Sequence, residues 1–225
     1  MNKRAIVIFC LTFLFITSFS VTIYADEFCV QGREVSTAQE RYCLVKFEDK
    51  EKKHGIYEAW HANGSKKSRG EYKEGEKYGI WIEWDDKGRK LEEHNYLNGK
   101  KHGTSTIWYI NGKKVFEGNY ENGQGIGVHT EWFNTGQKRT EKNYTLKGKD
   151  LYTERKSWWP NSQQESLSYY KNGKPEGVYI KWYKNGQKKE EGRFSQGRRE
   201  GVWRYWKDNG ELKGRKIFKQ GKMQK

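Results

Sequence analysis

Residues 177–197 read GVYIKWYKNGQKKEEGRFSQG, and the same phrase begins again at Gly201. Val178, Ile180 and Trp182 alternate with Tyr179 and Lys181, which is the period of a strand whose two faces meet different surroundings. Asn185-Gly186 follows, a pair suited to the positive backbone angles of a tight hairpin turn. A second, mostly polar run then ends at Phe194, three residues before Gly197. A helix would scatter the three apolar residues around its circumference, so the phrase reads as one β-hairpin.

The phrase recurs through most of the chain. Tryptophans stand at Trp60, Trp84, Trp108, Trp132, Trp158, Trp182 and Trp206, spaced by 24 residues except for 26 between Trp132 and Trp158. Five residues before each comes Gly55, Gly79, Gly103, Gly127, Gly177 or Gly201, with Thr153 the exception; twelve after comes Tyr72, Tyr96, Tyr120, Tyr144, Tyr170, Phe194 or Phe218. A fixed period of this length is the mark of a repeat array, in which each unit buries surface mainly against its neighbours. Residues 55–225 are therefore expected to form an all-β ribbon of about seven antiparallel β-hairpins, an open single-layer twisted meander. The seven tryptophans are expected to be its structural core, stacked into a continuous apolar spine. Gly70, Gly118 and Gly192, two residues before the second-strand aromatic, should leave room for a Trp ring from the adjacent strand. An insertion around Leu146–Tyr152, with Thr153 and Ser162 in place of glycines, makes the fifth repeat the expected site of a bend.

Composition limits what such a ribbon can be. The chain has 44 Lys+Arg against 29 Asp+Glu, a net charge of +15, 33% hydrophobic and 16% aromatic residues. Burial must come from large flat rings rather than from a thick aliphatic core, and that same aromatic content argues against disorder. Residues 1–25 have the parts of a signal peptide: Lys3 and Arg4, an apolar run from Ala5 to Ile23, and Ala25 before Asp26. Cleavage is expected near Ala25 and export to a periplasmic or extracellular compartment; an uncleaved anchor is the alternative, since roughly 19 apolar residues nearly span a bilayer. Residues 26–54 would then form an N-terminal cap segment, in which Cys29 and Cys43 pair as a disulfide.

The strings Tyr78–Trp84, Asn98–Gly103, Glu117–Gly123, Tyr183–Gly186 and Gly201–Trp206 resemble the bacterial MORN-variant repeat, found in proteins grouped as YwqK-family antitoxins. The resemblance implies a non-catalytic hairpin ribbon used for binding and, in some relatives, for neutralising a toxin. The leader and the cysteine pair would put such a partner outside the cytosol, as with an immunity protein.

Catalysis finds no support in the residues. His54, His61, His94, His102 and His129 lack the spacing of a metal-binding helix motif, and each reads as a solvated turn or strand residue. No serine sits in a nucleophile-elbow string, and Glu83 and Glu131 recur at one repeat position as an exposed row. Neither cofactor nor metal is expected. For binding, two sets stand out. One comprises the aromatics assigned to the face opposite the spine, Tyr57, Trp81, Tyr109, Phe133, Trp159, Tyr179, Tyr183, Trp203 and Tyr205; the other comprises basic pairs at the turns, Lys100, Lys101, Arg198 and Arg199 among them. The aromatics could equally line the inside of a tightly curled ribbon. A protein partner, such as a toxin, is the first expectation. An anionic phospholipid or glycan is the second, self-assembly through the last hairpin near Phe218–Lys225 a third, and export discounts nucleic acid.

Overall fold

The computed structural model describes Phe28, Cys29 and residues 32–224. The leader expected over residues 1–25, with its cleavage site near Ala25, lies outside the described residues. Among the described residues seventeen strands form one open sheet. They are β1 (Arg33–Ser36), β2 (Glu40–Phe47), β3 (Lys50–Trp60), β4 (Lys66–Lys73), β5 (Glu76–Trp84), β6 (Lys90–Leu97), β7 (Lys100–Trp108), β8 (Lys114–Glu121) and β9 (Gln124–Trp132), followed by β10 (Lys138–Lys147), β11 (Asp150–Trp158), β12 (Gln164–Lys171), β13 (Lys174–Trp182), β14 (Lys188–Ser195), β15 (Arg198–Trp206), β16 (Leu212–Lys219) and β17 (Lys222–Met223). Each registered pairing is antiparallel and joins strands consecutive in the chain, so the sheet is a meander, as the periodicity requires. Cys29 and Cys43 form a disulfide that ties the start of the described chain to β2.

Two kinds of turn alternate. After the second strand of each repeat, Asn98 (φ 49°) and Gly99 (φ 72°) are both left-handed, as are Asn122-Gly123 and Asn172-Gly173, the two-residue turn whose twist matches the strands it joins. The turn after the tryptophan differs from the expectation for Asn-Gly. Only Gly64 is left-handed there, and the Gly64 and His61 amides bond the His61 and Ser65 carbonyls at 2.9 and 2.8 Å. Asn63 instead accepts the Ser65 amide on its side-chain oxygen at 3.0 Å. The glycine five residues before the tryptophan lies inside its strand: β5 starts at Glu76 and Gly79 has φ 64°. Pairing with the preceding strand shifts register just there, between Arg69 and Glu71, the geometry of a bulge. In the fifth repeat Thr153 holds this place and β10 and β11 pair in unbroken register from Thr140↔Ser157 to Lys147↔Asp150. The insertion thus lengthens one hairpin and removes its bulge, because threonine is strained where glycine is not.

The spine of stacked tryptophans is not formed. All seven repeat tryptophans are half-buried, and among the described residues none makes a ring-ring contact. They stand on every second strand, and two strand spacings amount to about 10 Å, too far for ring stacking at about 4.5–7 Å. The ring packing lies on the opposite face. There Tyr57 and Tyr72 approach Trp81 at 5.5 and 4.9 Å, and Tyr179, Phe194 and Phe218 surround Trp203 at 5.7, 5.1 and 6.2 Å. Trp81 and Trp203 are 4% and 0% exposed. Gly70 and Gly192 do make room for them, since a Cβ would lie 2.7 Å from Trp81 Cγ and 2.6 Å from Trp203 Cγ. Large and small alternate across the two strands: where His94 replaces the glycine, its partner is Ser105. His94 and His129, read as solvated, are 7% and 6% exposed because both point into this ring face.

Candidate functional site

The tryptophan face carries three files of side chains running across the strands. In the first, tryptophan and lysine alternate: Trp60 is registered opposite Lys66, Trp84 opposite Lys90, Trp108 opposite Lys114, Trp132 opposite Lys138 and Trp182 opposite Lys188. Each lysine fills the gap between neighbouring indoles. Lys90 Nζ lies 5.3 Å from the Trp108 ring centroid, Lys138 5.2 Å from Trp158 and Lys188 5.7 Å from Trp206. The same ammonium groups bind the carboxylate three residues on, Lys90–Glu93 at 2.7 Å, Lys138–Glu141 and Lys188–Glu191 at 2.6 Å, and Lys114–Glu117 likewise. These pairs are partly exposed, so each contributes at most about 1 kcal/mol. Their effect is to neutralise the lysines along the file. Between Trp158 and Trp182 the lysine is replaced by Gln164.

The second file, beside the first, holds Thr106, Thr130 and their glutamate neighbours in the middle repeats. At its N-terminal end Glu58 is buried among Arg41, Lys66 and Arg69. Burial acts to raise the Glu58 carboxyl pKa, but the hydrogen bond from Lys66 and the charges of Lys66, Arg41 and Arg69 outweigh it and hold the group below its usual range. The third file contains exposed aliphatics: Ile80, Val128, Val178 and Val202 are 53, 47, 44 and 38% exposed.

The residues singled out in the sequence fall into three places. Tyr57, Trp81, Tyr179 and Trp203 belong to the packed ring face, together with Tyr205. Burial first, then the Glu40 carboxylate, pushes the Tyr57 hydroxyl up to about 12; burial and Glu190 do the same for Tyr179. Tyr109, Phe133, Trp159 and Tyr183 lie at the turns after the repeat tryptophans, and three of them staple one repeat to the next. Tyr109 and Tyr183 hydroxyls donate to the Trp132 and Trp206 carbonyls at 2.9 Å, and Trp159 Nε1 to Trp182 O at 3.4 Å. Asn63, Asn111, Asn161 and Asn185 side-chain amides add a second row of such bonds. The basic residues do not form one row. Lys100 and Arg198 are exposed at the two-residue turns, whereas Lys101 and Arg199 fold over the ring face. Arg199 sits 4.0 Å from the Trp203 ring centroid and donates to the Tyr205 hydroxyl at 3.0 Å. Lys101 lies 3.4 Å from the His94 nitrogens, and its pKa is lowered chiefly by burial, with Glu92 opposing and Lys77 assisting. Lys66, Lys114 and Lys188, each one half of a basic pair, are in the tryptophan file.

Sequence reasoning missed a different set. Leu167 and Tyr169 occupy the positions held by Glu93 and Asn95, Glu117 and Asn119, and Glu141 and Asn143 in other repeats, and they face the tryptophan side with Ile180. Comparing repeats position by position, rather than for what they share, is the signal that exposes them. Among the described residues no group of three or more His, Cys, Asp or Glu is placed to hold a metal ion.

An unbroken array of antiparallel hairpins with one periodic face that no other described residue covers defines a hairpin-repeat scaffold. Four of its segments, residues 53–74, 101–122, 175–196 and 199–220, match the MORN repeat variant family. Repeats of this kind are generally non-catalytic and commonly serve in binding a membrane or a protein. No curated protein matches the chain. The Cys29–Cys43 disulfide is compatible with an oxidising, exported location.

Proposed function

We propose that the chain is an exported, non-catalytic scaffold that binds a protein partner on its tryptophan face, in the manner of an antitoxin or immunity factor. One observation carries this reading: a face of half-buried indoles flanked by exposed aliphatics runs across the array, and among the described residues no second layer lies over it. Aromatic anchors within a polar surround are the composition of protein interfaces. Neutralised lysines suit such a contact, since a partner need not displace free charge to reach the rings. The test is affinity capture of the mature chain with cross-linking in cells that produce it. A single dominant protein cross-linked through the tryptophan face is expected; cross-links confined to the ring face, or no stoichiometric partner, would refute the reading.

An anionic lipid or glycan surface is the second reading, favoured by one observation. Between Arg193 and Gln224 there are ten Lys and Arg against three Asp and Glu, a local net charge of +7. Sedimentation with anionic vesicles that weakens steeply with salt would support it over the first.

A further inference from the structure

The tryptophan face is not uniform along the array, and the change of character falls within it. From β5 to β10 its second-strand positions carry Glu93 with Asn95, Glu117 with Asn119 and Glu141 with Asn143. These groups satisfy one another: Asn95 donates to the Thr104 carbonyl at 3.1 Å, the Thr104 hydroxyl donates to Asn119 at 2.9 Å, and each glutamate has its lysine. The charges of that stretch are thus paired within it, although Ile80 and Val128 are exposed there as well.

From β12 to β16 the same positions read Leu167 with Tyr169, Glu191 with Arg193 and Arg215 with Ile217. Tyr169, Val202 and Ile217 are 38, 38 and 48% exposed. Arg204 is registered against Glu191 on one side and Arg215 on the other, yet among the described residues Arg193, Arg204 and Arg215 have no carboxylate within ion-pair distance. Like charges placed opposite each other on adjacent strands cost stability. Here three arginines without a carboxylate partner stand on the same face as the exposed Tyr169, and arginine and tyrosine are among the residue types enriched at interface hot spots.

We infer that the tryptophan face of β12–β16 is the docking surface, and that its occupant is a partner protein presenting carboxylates next to apolar side chains, the former against Arg193, Arg204 and Arg215 and the latter against Leu167, Tyr169 and Ile180. This rests on the protein-binding reading above and narrows it to one third of the face and one chemistry of partner. A second copy of the chain is a poor match, since the same stretch would oppose arginine to arginine. A lipid surface would satisfy the arginines but has no use for the confinement of Leu167 and Tyr169 to one hairpin.

The test uses a displayed random-peptide library selected against the mature, disulfide-bonded chain. Selected peptides are expected to pair Asp or Glu with aromatic or large aliphatic residues. Their affinity should fall at least about tenfold in Leu167→Glu/Tyr169→Asn, which installs the residues of the other repeats and so should fold, and in Arg204→Glu/Arg215→Glu. The matched change Glu117→Leu/Asn119→Tyr on the charge-paired stretch should leave it unaltered. Circular dichroism verifies each variant, and either pair alone suffices if the other is misfolded. Peptides without acidic bias, or indifferent to both pairs, overturn the inference. So does dimerisation in sedimentation velocity, or binding to phosphatidylglycerol vesicles with no peptide recovered, when the same substitutions abolish it. Peptides that bind but map to β5–β10 would overturn this placement while leaving the protein-binding reading intact; failure to recover any peptide, with no cross-linked partner, would end both.

Discussion

Substituting Gly192 by alanine puts the ring-face packing to a quantitative test. The residue is not in the left-handed region, so alanine alone would stabilise the strand by about 0.5–1 kcal/mol through reduced chain entropy. Against this, the new Cβ would lie 2.6 Å from Trp203 Cγ, where carbon atoms rest at about 3.5–4.0 Å. The indole must retreat by roughly 1 Å, and it has nowhere to go: it is 0% exposed, its Nε1 donates to the Arg193 carbonyl at 3.2 Å, and Tyr179, Phe194, Phe218 and Arg199 enclose it. Overpacking costs about 1–3 kcal/mol, and a fully buried ring with no room to retreat puts this case at the upper end, so a net loss of about 2 kcal/mol is expected. Because a repeat array unfolds locally, the proper readout is hydrogen exchange of β14 and β15 amides alongside urea denaturation. The natural pair His94 and Ser105 supplies the rescue. Gly192→His alone should be worse than alanine, and Gly192→His with Trp203→Ser should recover at least about 1 kcal/mol of coupling. A neutral or stabilising Gly192→Ala, or a strictly additive double variant, would refute the large-against-small account of this face.

Three further outcomes are expected. Reducing the Cys29–Cys43 disulfide, which closes a separation of 14 residues, should cost about 3 kcal/mol in the chain-entropy account, seen as early proteolysis before β3 with later repeats unaffected. His129 is buried among Phe116, Tyr120 and Tyr144, and burial first, with Lys142 assisting against the bond to Asn119 O, lowers its pKa. The unfolded chain therefore binds the proton more readily, so stability should fall as pH drops below about 6.5; a His129→Gln variant that keeps the same slope would exclude this residue as the cause. Tyr183→Phe removes the 2.9 Å bond to the Trp206 carbonyl and should cost about 0.5–1.5 kcal/mol, with faster exchange concentrated at the turn after β15; uniform loosening along the array would contradict a local staple.

Local features were legible because they depend on short-range geometry. The 24-residue period, the hairpins, the two-residue Asn-Gly turns and the space above Gly70 and Gly192 all follow from residues within one repeat or its immediate neighbour. The fifth repeat's irregularity was also visible, though its form was a lost bulge at Thr153 within unbroken pairing.

What the sequence could not supply was which face carries the packing. Trp60 and its six counterparts are the most regular feature of the chain, yet regularity in sequence does not bring them within contact, since two strand spacings separate them and lysines stand between. Conversely, Trp81, Trp203, His94 and His129 vary from repeat to repeat, which left the two tryptophans open to either a binding surface or an inner lining and disguised the two histidines as surface, although each is matched to a glycine or serine across the strands. By itself the sequence determined the period, the pairing order and the turn chemistry, because those are set by backbone preferences and alternation along a few residues. Only the tertiary structure decided which side chains are shielded from water and which charges are left without partners, because those depend on what the next strand places alongside at about 5 Å.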